Sequence, residues 1–311
     1  MKTKDFKRLR LGNPRRITAG LTDHEHPAVS PDGRMLAHYS GEYGEISIAV
    51  CALDGRLARI VSPQGGNNTQ PAWRPDGEAV AYRHQHDPKS KWELWFTVLV
   101  GEDIAPRKLL ANTRWHYKHP IYSPDGKRLA YFSDENSENG AFHIWVWDLE
   151  GGERRQVSFG NTQMHCHPVF SPDGQRIAYH AYEGTDEQAD PPVTNLYELD
   201  LETSEVRQLT FGRDQVKHPF YIDDDAIVFH HERNSDGVRG LEVMHLASLK
   251  IVALAGGGND KHPFPFIRKG EQWLAWSCKK CGQELEGEPN TYDILIAPLL
   301  SGKDKKGKRK K

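Results

Sequence analysis

Short apolar runs bounded by turn-forming residues recur along this chain, as Met35-Leu-Ala, Ala79-Val-Ala-Tyr, Leu129-Ala-Tyr, Ile177-Ala-Tyr, Ile227-Val-Phe and Trp273-Leu-Ala-Trp. A related segment precedes each one. His26-Pro-Ala-Val-Ser-Pro-Asp-Gly returns as Gln70-Pro-Ala-Trp-Arg-Pro-Asp-Gly, His119-Pro-Ile-Tyr-Ser-Pro-Asp-Gly and His167-Pro-Val-Phe-Ser-Pro-Asp-Gly, then in looser form at His218-Pro-Phe-Tyr and His262-Pro-Phe-Pro-Phe. The Pro-Asp-Gly core suits a tight hairpin turn, because Pro presets φ and Gly accepts a positive one. Behind the apolar run come aromatic or alternating stretches such as Ile144-Trp-Val-Trp and Leu196-Tyr-Glu-Leu, then Arg155-Gln-Val-Ser-Phe or Arg207-Gln-Leu-Thr-Phe. Helical periodicity is essentially absent, so each repeat is predicted to hold four short strands.

The repeated prolines stand at 27, 71, 120, 168, 219 and 263, which are 44 to 51 residues apart. That period fits one propeller blade. The prediction is an all-β, six-bladed β-propeller of four-stranded antiparallel blades. Arg15-Arg-Ile-Thr-Ala-Gly matches the fourth strand of a repeat, whereas the last repeat stops after its third strand at Ile294-Leu-Ile-Ala. The N-terminal strand is therefore expected to complete the last blade and close the ring, leaving no open sheet edge. This divides the chain into a basic extension at 1–14, the propeller at 15–301 and a solvated, disordered Lys-rich tail at 302–311.

Composition narrows the partners. Of 311 residues, 37% are hydrophobic and 10% aromatic, enough for a packed core. The formal charge of -2 conceals two basic ends of +6 each around a body near -14. Such a body lacks the basic stripe that grips phosphates, so no nucleic-acid partner is expected. No apolar run reaches bilayer length, and Met1 to Pro14 lacks the apolar stretch of a secretory signal. A cytoplasmic monomer without membrane insertion is the expectation. Among the four cysteines only Cys278 and Cys281 form a C-x-x-C pair, too few ligands for a structural zinc site and more consistent with reduced thiols. Gly256 to Gly258 reads as a turn rather than a phosphate loop, because a strand and not a helix follows. Trp95, Trp145 and Trp147 occupy third strands, where aromatic residues pack blade on blade.

The position just before each repeated proline carries the candidate chemistry. It reads His26, Gln70, His119, His167, His218 and His262, and six blades would bring it to the mouth of one central channel. Imidazoles suit a divalent transition metal such as Mn, Fe, Ni or Zn, and a side-chain amide can complete the shell. His24-Glu-His26 and His165-Cys-His167 add donors, since residues i and i+2 of a strand face one way. Gln163 and His116 lie just upstream in their repeats. Two other readings stay open: histidines bonded to carbonyls between blades, or a ring that binds a ligand directly without metal. In the second strands Arg83, His180 and His230 share one position, and His84 and His231 the next. The first three are the candidates for substrate binding and for a catalytic base.

Ser-Pro-Asp-Gly followed by Ile/Leu-Ala-Tyr, across about residues 15 to 300, resembles the repeat of TolB-like propellers. This implies the fold and leaves the role open, since one propeller scaffold hosts many functions. His165-Cys-His167-Pro-Val-Phe-Ser-Pro-Asp-Gly resembles a segment of the oligogalacturonate lyases, propeller enzymes whose Mn is held by three His and one Gln. By that resemblance His165 and His167 are metal ligands, Gln163 is an amide ligand, and the reaction is β-elimination from a small acidic carbohydrate. The alternative is a non-catalytic TolB-like scaffold that holds a protein partner through rim loops, above all Glu183 to Asp190.

Overall fold

The computed structural model describes residues 6, 8–19, 22–41, 45–101, 104–160, 164–183, 192–212, 214–235, 237–254, 259–279 and 291–301. Gln163, Cys281, Gly256 to Gly258, most of the Glu183 to Asp190 loop and the tail 302–311 lie outside the described residues. No helix among the described residues is long and apolar enough to cross a membrane.

The chain is an all-β propeller built from antiparallel meanders. In the fourth repeat His165–Phe170, Arg176–Tyr182, Thr194–Asp200 and Val206–Gln208 pair in sequence order. The described strands form five hydrogen-bonded sheets, one of eight strands, in which a single parallel bridge from Thr194 to Gln215 joins two successive meanders. The Pro-Asp-Gly turns close as the sequence requires. Gly33 has φ +68°, and a Cβ there would lie 2.5 Å from the Ile267 carbonyl oxygen, so this turn admits only glycine.

The ends of the chain meet. Arg15–Arg16 pairs with Tyr292–Leu300, Arg15 opposite Ile296, and Thr18 Oγ1 accepts the Ile294 amide at 2.8 Å. Packing begins well before residue 15: Phe6 and Leu9 are buried in a core with Val228, Leu241 and Trp276, and Arg10–Leu11 pairs with the same last strand. These contacts lock the two ends together. Phe6→Ala is therefore expected to cost about 3 kcal/mol, read as a lower urea midpoint; an unchanged midpoint would show that the N-terminal segment docks without stabilising the ring.

One local device repeats in all six first strands. Glu25 pairs with Tyr39 but Ala28 with Ala37, and the same slip occurs at Thr69/Ala72, Lys118/Ile121, Cys166/Val169, Lys217/Phe220 and Lys261/Phe264. Each slip is a β-bulge in which the His-Pro or Gln-Pro pair stands opposite one residue of the partner strand, because proline has no N–H for the ladder. His26, Gln70, His119, His167, His218 and His262 all take positive φ, from 51° to 58°. A residue before proline normally stays extended, and left-handed non-glycine residues cost about 1–3 kcal/mol each. Six equivalent strained residues thus sit at the axis.

Candidate metal centre

The bulge turns these six side chains out of the strand alternation and into the channel, where they meet. His26 stacks on His262 with ring centres 3.6 Å apart, and His218 lies 4.4 Å from His262 and 4.1 Å from His167. His119 is 4.7 Å from His167, and Gln70 Nε2 donates to His167 Nε2 at 2.7 Å. Among the described residues one set of potential ligands, His26, His218 and His262, has its ligand atoms all within 4.8 Å of one another.

A second tier follows from the register. The residue before each ring position opposes one second-strand residue, giving the cross-strand pairs Glu25/Tyr39, Thr69/Arg83, Lys118/Phe132, Cys166/His180, Lys217/His230 and Lys261/Ser277. His180 stacks on His167 at 4.8 Å and His230 on His218 at 4.9 Å, with His230 Nδ1 3.3 Å from His218 Nδ1. Ring and tier enclose a cavity of about 360 Å³ lined by Glu25, Tyr39, Arg83, Lys118, Tyr182 and Lys261 among others. On the other side of the ring the space is about 20 Å³, lined by Ala72, Ile121, Phe220, Phe264, Pro27, Pro71 and Pro120 with several of the ring residues, room for a single water-sized particle. The centre is therefore the floor of a vestibule backed by an apolar plug.

Burial sets the protonation state. It holds His26, His167, His180, His218, His230 and His262 well below the ordinary histidine range, with neighbouring imidazoles and cationic side chains lowering them further. Burial, then the Arg83 charge, pushes His119 down to about 3. Neutral imidazoles are the form that ligates metal. Several buried polar atoms also find no hydrogen-bond partner among the described residues: Gln70 Oε1, Nδ1 of His119 and His167, and both ring nitrogens of His180. Each such atom costs about 1–3 kcal/mol unless something binds it. The donor set therefore fits a borderline divalent ion of the kind imidazoles hold.

Other candidates from the sequence lie elsewhere. His165 is buried, with Nδ1 2.7 Å from Ser158 Oγ and its ring against His143 and Tyr179. The expectation that His165 and His167 face one way fails here because the bulge resets the alternation between them. His24 likewise packs on His38 at 5.2 Å, away from the ring, and His116 contacts Lys91 and the Trp92 amide. His84 meets Asn68 and Trp95, and His231 bridges Asp214 and Glu242, so the second-strand position after Arg83, His180 and His230 faces away from the axis. Trp145 stacks on Tyr131 within the blade packing. The sequence reading missed Lys118, Lys261 and Glu25, although each directly precedes a ring histidine and a comparison of the repeats at that offset would have exposed them.

No family model matches the chain. Curated relatives match in part: the Tol-Pal system protein TolB of Thioalkalivibrio sulfidiphilus is 31% identical over 140 residues, 44% of this chain and 26% of that protein. The matched segments thus span about a quarter or less of such relatives, 15% in the shortest case. Among solved structures, TolB from Acinetobacter baumannii superposes with a TM-score of 0.63 at 18% identity, covering 78% of this chain and 57% of that one. An oligogalacturonate lyase in complex with manganese superposes with a TM-score of 0.55 at 13% identity, covering 92% and 93%. The meanders, the Ser-Pro-Asp-Gly repeat and these likenesses agree: in fold, the chain is a TolB-like β-propeller.

Proposed function

We propose that the protein is a six-bladed propeller that binds a divalent transition metal at His26, His218 and His262, and that it recognises or eliminatively cleaves a small acidic carbohydrate in the vestibule. The blade count takes the eight-stranded sheet as two blades, since one bridge joins its halves. The observation that carries the reading is the convergence of neutral, half-buried imidazoles on a cavity with cationic and aromatic walls. Its volume of about 360 Å³ lies in the range of small-ligand sites. A bound Mn, Fe, Ni or Zn ion would neutralise a uronate carboxylate and stabilise the charge that develops beside it.

The protein's own groups would do the rest. Arg83 and Lys118 attract the acidic ligand, and Tyr39, Phe132 and Tyr182 offer faces to sugar rings. His180 and His230, stacked on His167 and His218, are the candidates for the catalytic base. In elimination, the base removes the proton next to the carboxylate, that electron pair forms the new C=C bond, and the glycosidic C–O bond breaks. The departing sugar oxygen gains the proton.

The test begins with elemental analysis of protein purified without a metal-affinity tag, then assays uronate oligomers for the ultraviolet absorbance of unsaturated products. Stoichiometric metal with product formation supports the lyase. Protein that neither contains nor takes up metal refutes the centre and points to a TolB-like scaffold for a protein partner.

A further inference from the structure

We propose that the vestibule is divided: repeats 1, 5 and 6 hold the metal through His26, His218 and His262, while repeats 2 and 3 form an anion subsite from Arg83 and Lys118. The ligand then carries a second anionic group, and a hydroxyl near it. This division rests on the metal-site reading above and departs from a single ring of six ligands.

Three observations separate the halves. The compact ligand triad comes only from repeats 1, 5 and 6, and there the Glu25 carboxylate lies 3.3 Å from His262 Nδ1 and 2.5 Å from Lys261 Nζ. At that edge the Glu25 and Lys261 charges offset each other, whereas the cations of repeats 2 and 3 have no such carboxylate in the cavity lining. In repeats 2 and 3 Arg83 and Lys118 line the cavity, each set by an aromatic face: the Arg83 guanidinium carbon lies 4.1 Å from the Trp92 ring centre and Lys118 Nζ 4.1 Å from that of Phe142. Thr69 Oγ1 accepts from Arg83 Nε at 2.6 Å and fixes the fork. Two cations on this half would repel a second metal ion.

The third observation is hydrogen-bonding capacity. Gln70, which lines the vestibule on repeat 2, has a buried Oε1 with no hydrogen-bond partner among the described residues. Gln70 Oε1 is an acceptor and asks for a hydroxyl, while its Nε2 is committed to His167. A hydroxy acid with two acidic groups satisfies both demands; a monoacid leaves one half unfilled.

Calorimetric titration of the full chain tests the division, using Mn²⁺, inorganic phosphate, galacturonate and its dimer as probes on wild type and on Arg83→Gln/Lys118→Met. The double variant should keep its Mn²⁺ affinity or raise it, since two nearby positive charges are gone. Phosphate binding should weaken at least about tenfold, and the advantage of the dimer over the monomer on Mn²⁺-loaded protein should vanish. Phosphate binding that survives in the folded double variant overturns the proposal, as does a tenfold loss of Mn²⁺ affinity in His119→Asn. If neither uronate binds while Mn²⁺ and phosphate behave as stated, the division stands and the carbohydrate reading falls.

Discussion

Replacing His218 and His262 together by glycine is expected to abolish stoichiometric metal binding while the protein stays folded. Both residues hold φ near +54°, a conformation glycine takes freely, so the change removes two ligands without asking a new side chain to bear the strain. The loss in Mn²⁺ affinity should exceed the ~10–100-fold typical of changes outside the ligand shell. His165→Ala is the matched control. Its ring bonds to Ser158 and packs on Tyr179, so it should lower stability but leave metal affinity unchanged. Metal retained by the glycine double variant, with circular dichroism still native, would exclude this triad as the site.

The second large effect is on stability against pH in the metal-free protein. Burial pushes His119 down to about 3, and His38 and His165 to about 4, from 6.5 in the unfolded chain. A folded-state value below the unfolded one means that, between the two, the unfolded chain binds a proton that the folded chain does not. Stability is therefore full above 6.5 and falls as pH drops toward 3 to 4. Each such imidazole contributes about 1.4 kcal/mol per pH unit, so three together approach about 4 kcal/mol per unit. Against a total stability of about 5–15 kcal/mol, acid unfolding is expected within a few pH units of neutrality. The ring histidines act in the same direction. His231 has the opposite sign, because Glu242 and Asp214 raise it, so its contribution is present below 6.5 and fades above its folded value. One partly exposed group does not offset so many buried ones. Urea midpoints that stay level from pH 7 to 5 would show that these imidazoles are not held buried and neutral.

Divalent metal should extend the stable range, since an ion that binds only the folded form adds stability by mass action. The gain should shrink as pH falls, because protons compete for the same nitrogens.

How much of this was legible without coordinates can be judged at particular residues. Pro-Asp-Gly and the apolar run behind it are local signals, and the turns and second strands lie where those signals put them, at Gly33 and Met35–Ser40 for example. The recurrence of His before proline was equally plain, because repetition survives in a one-dimensional reading. The failure at His165 has a specific cause. An i, i+2 rule assumes unbroken alternation, and the proline within the motif forces a bulge that inserts one residue and reverses the facing.

The sequence by itself determined the all-β repeats, the turn chemistry and the set of residues that recur at the ring position, since each depends on neighbours a few residues apart. Tertiary structure alone decided which of those residues meet. His26 stacks on His262 across more than two hundred residues of chain, Phe6 reaches the core of the last strands, and Arg83, Lys118 and Glu25 line one cavity. The reason is geometric: closing the ring converts positions that are equivalent in every repeat into distinct points around one axis. Whether the point between them holds a cation or an anion depends on the charges that closure brings together.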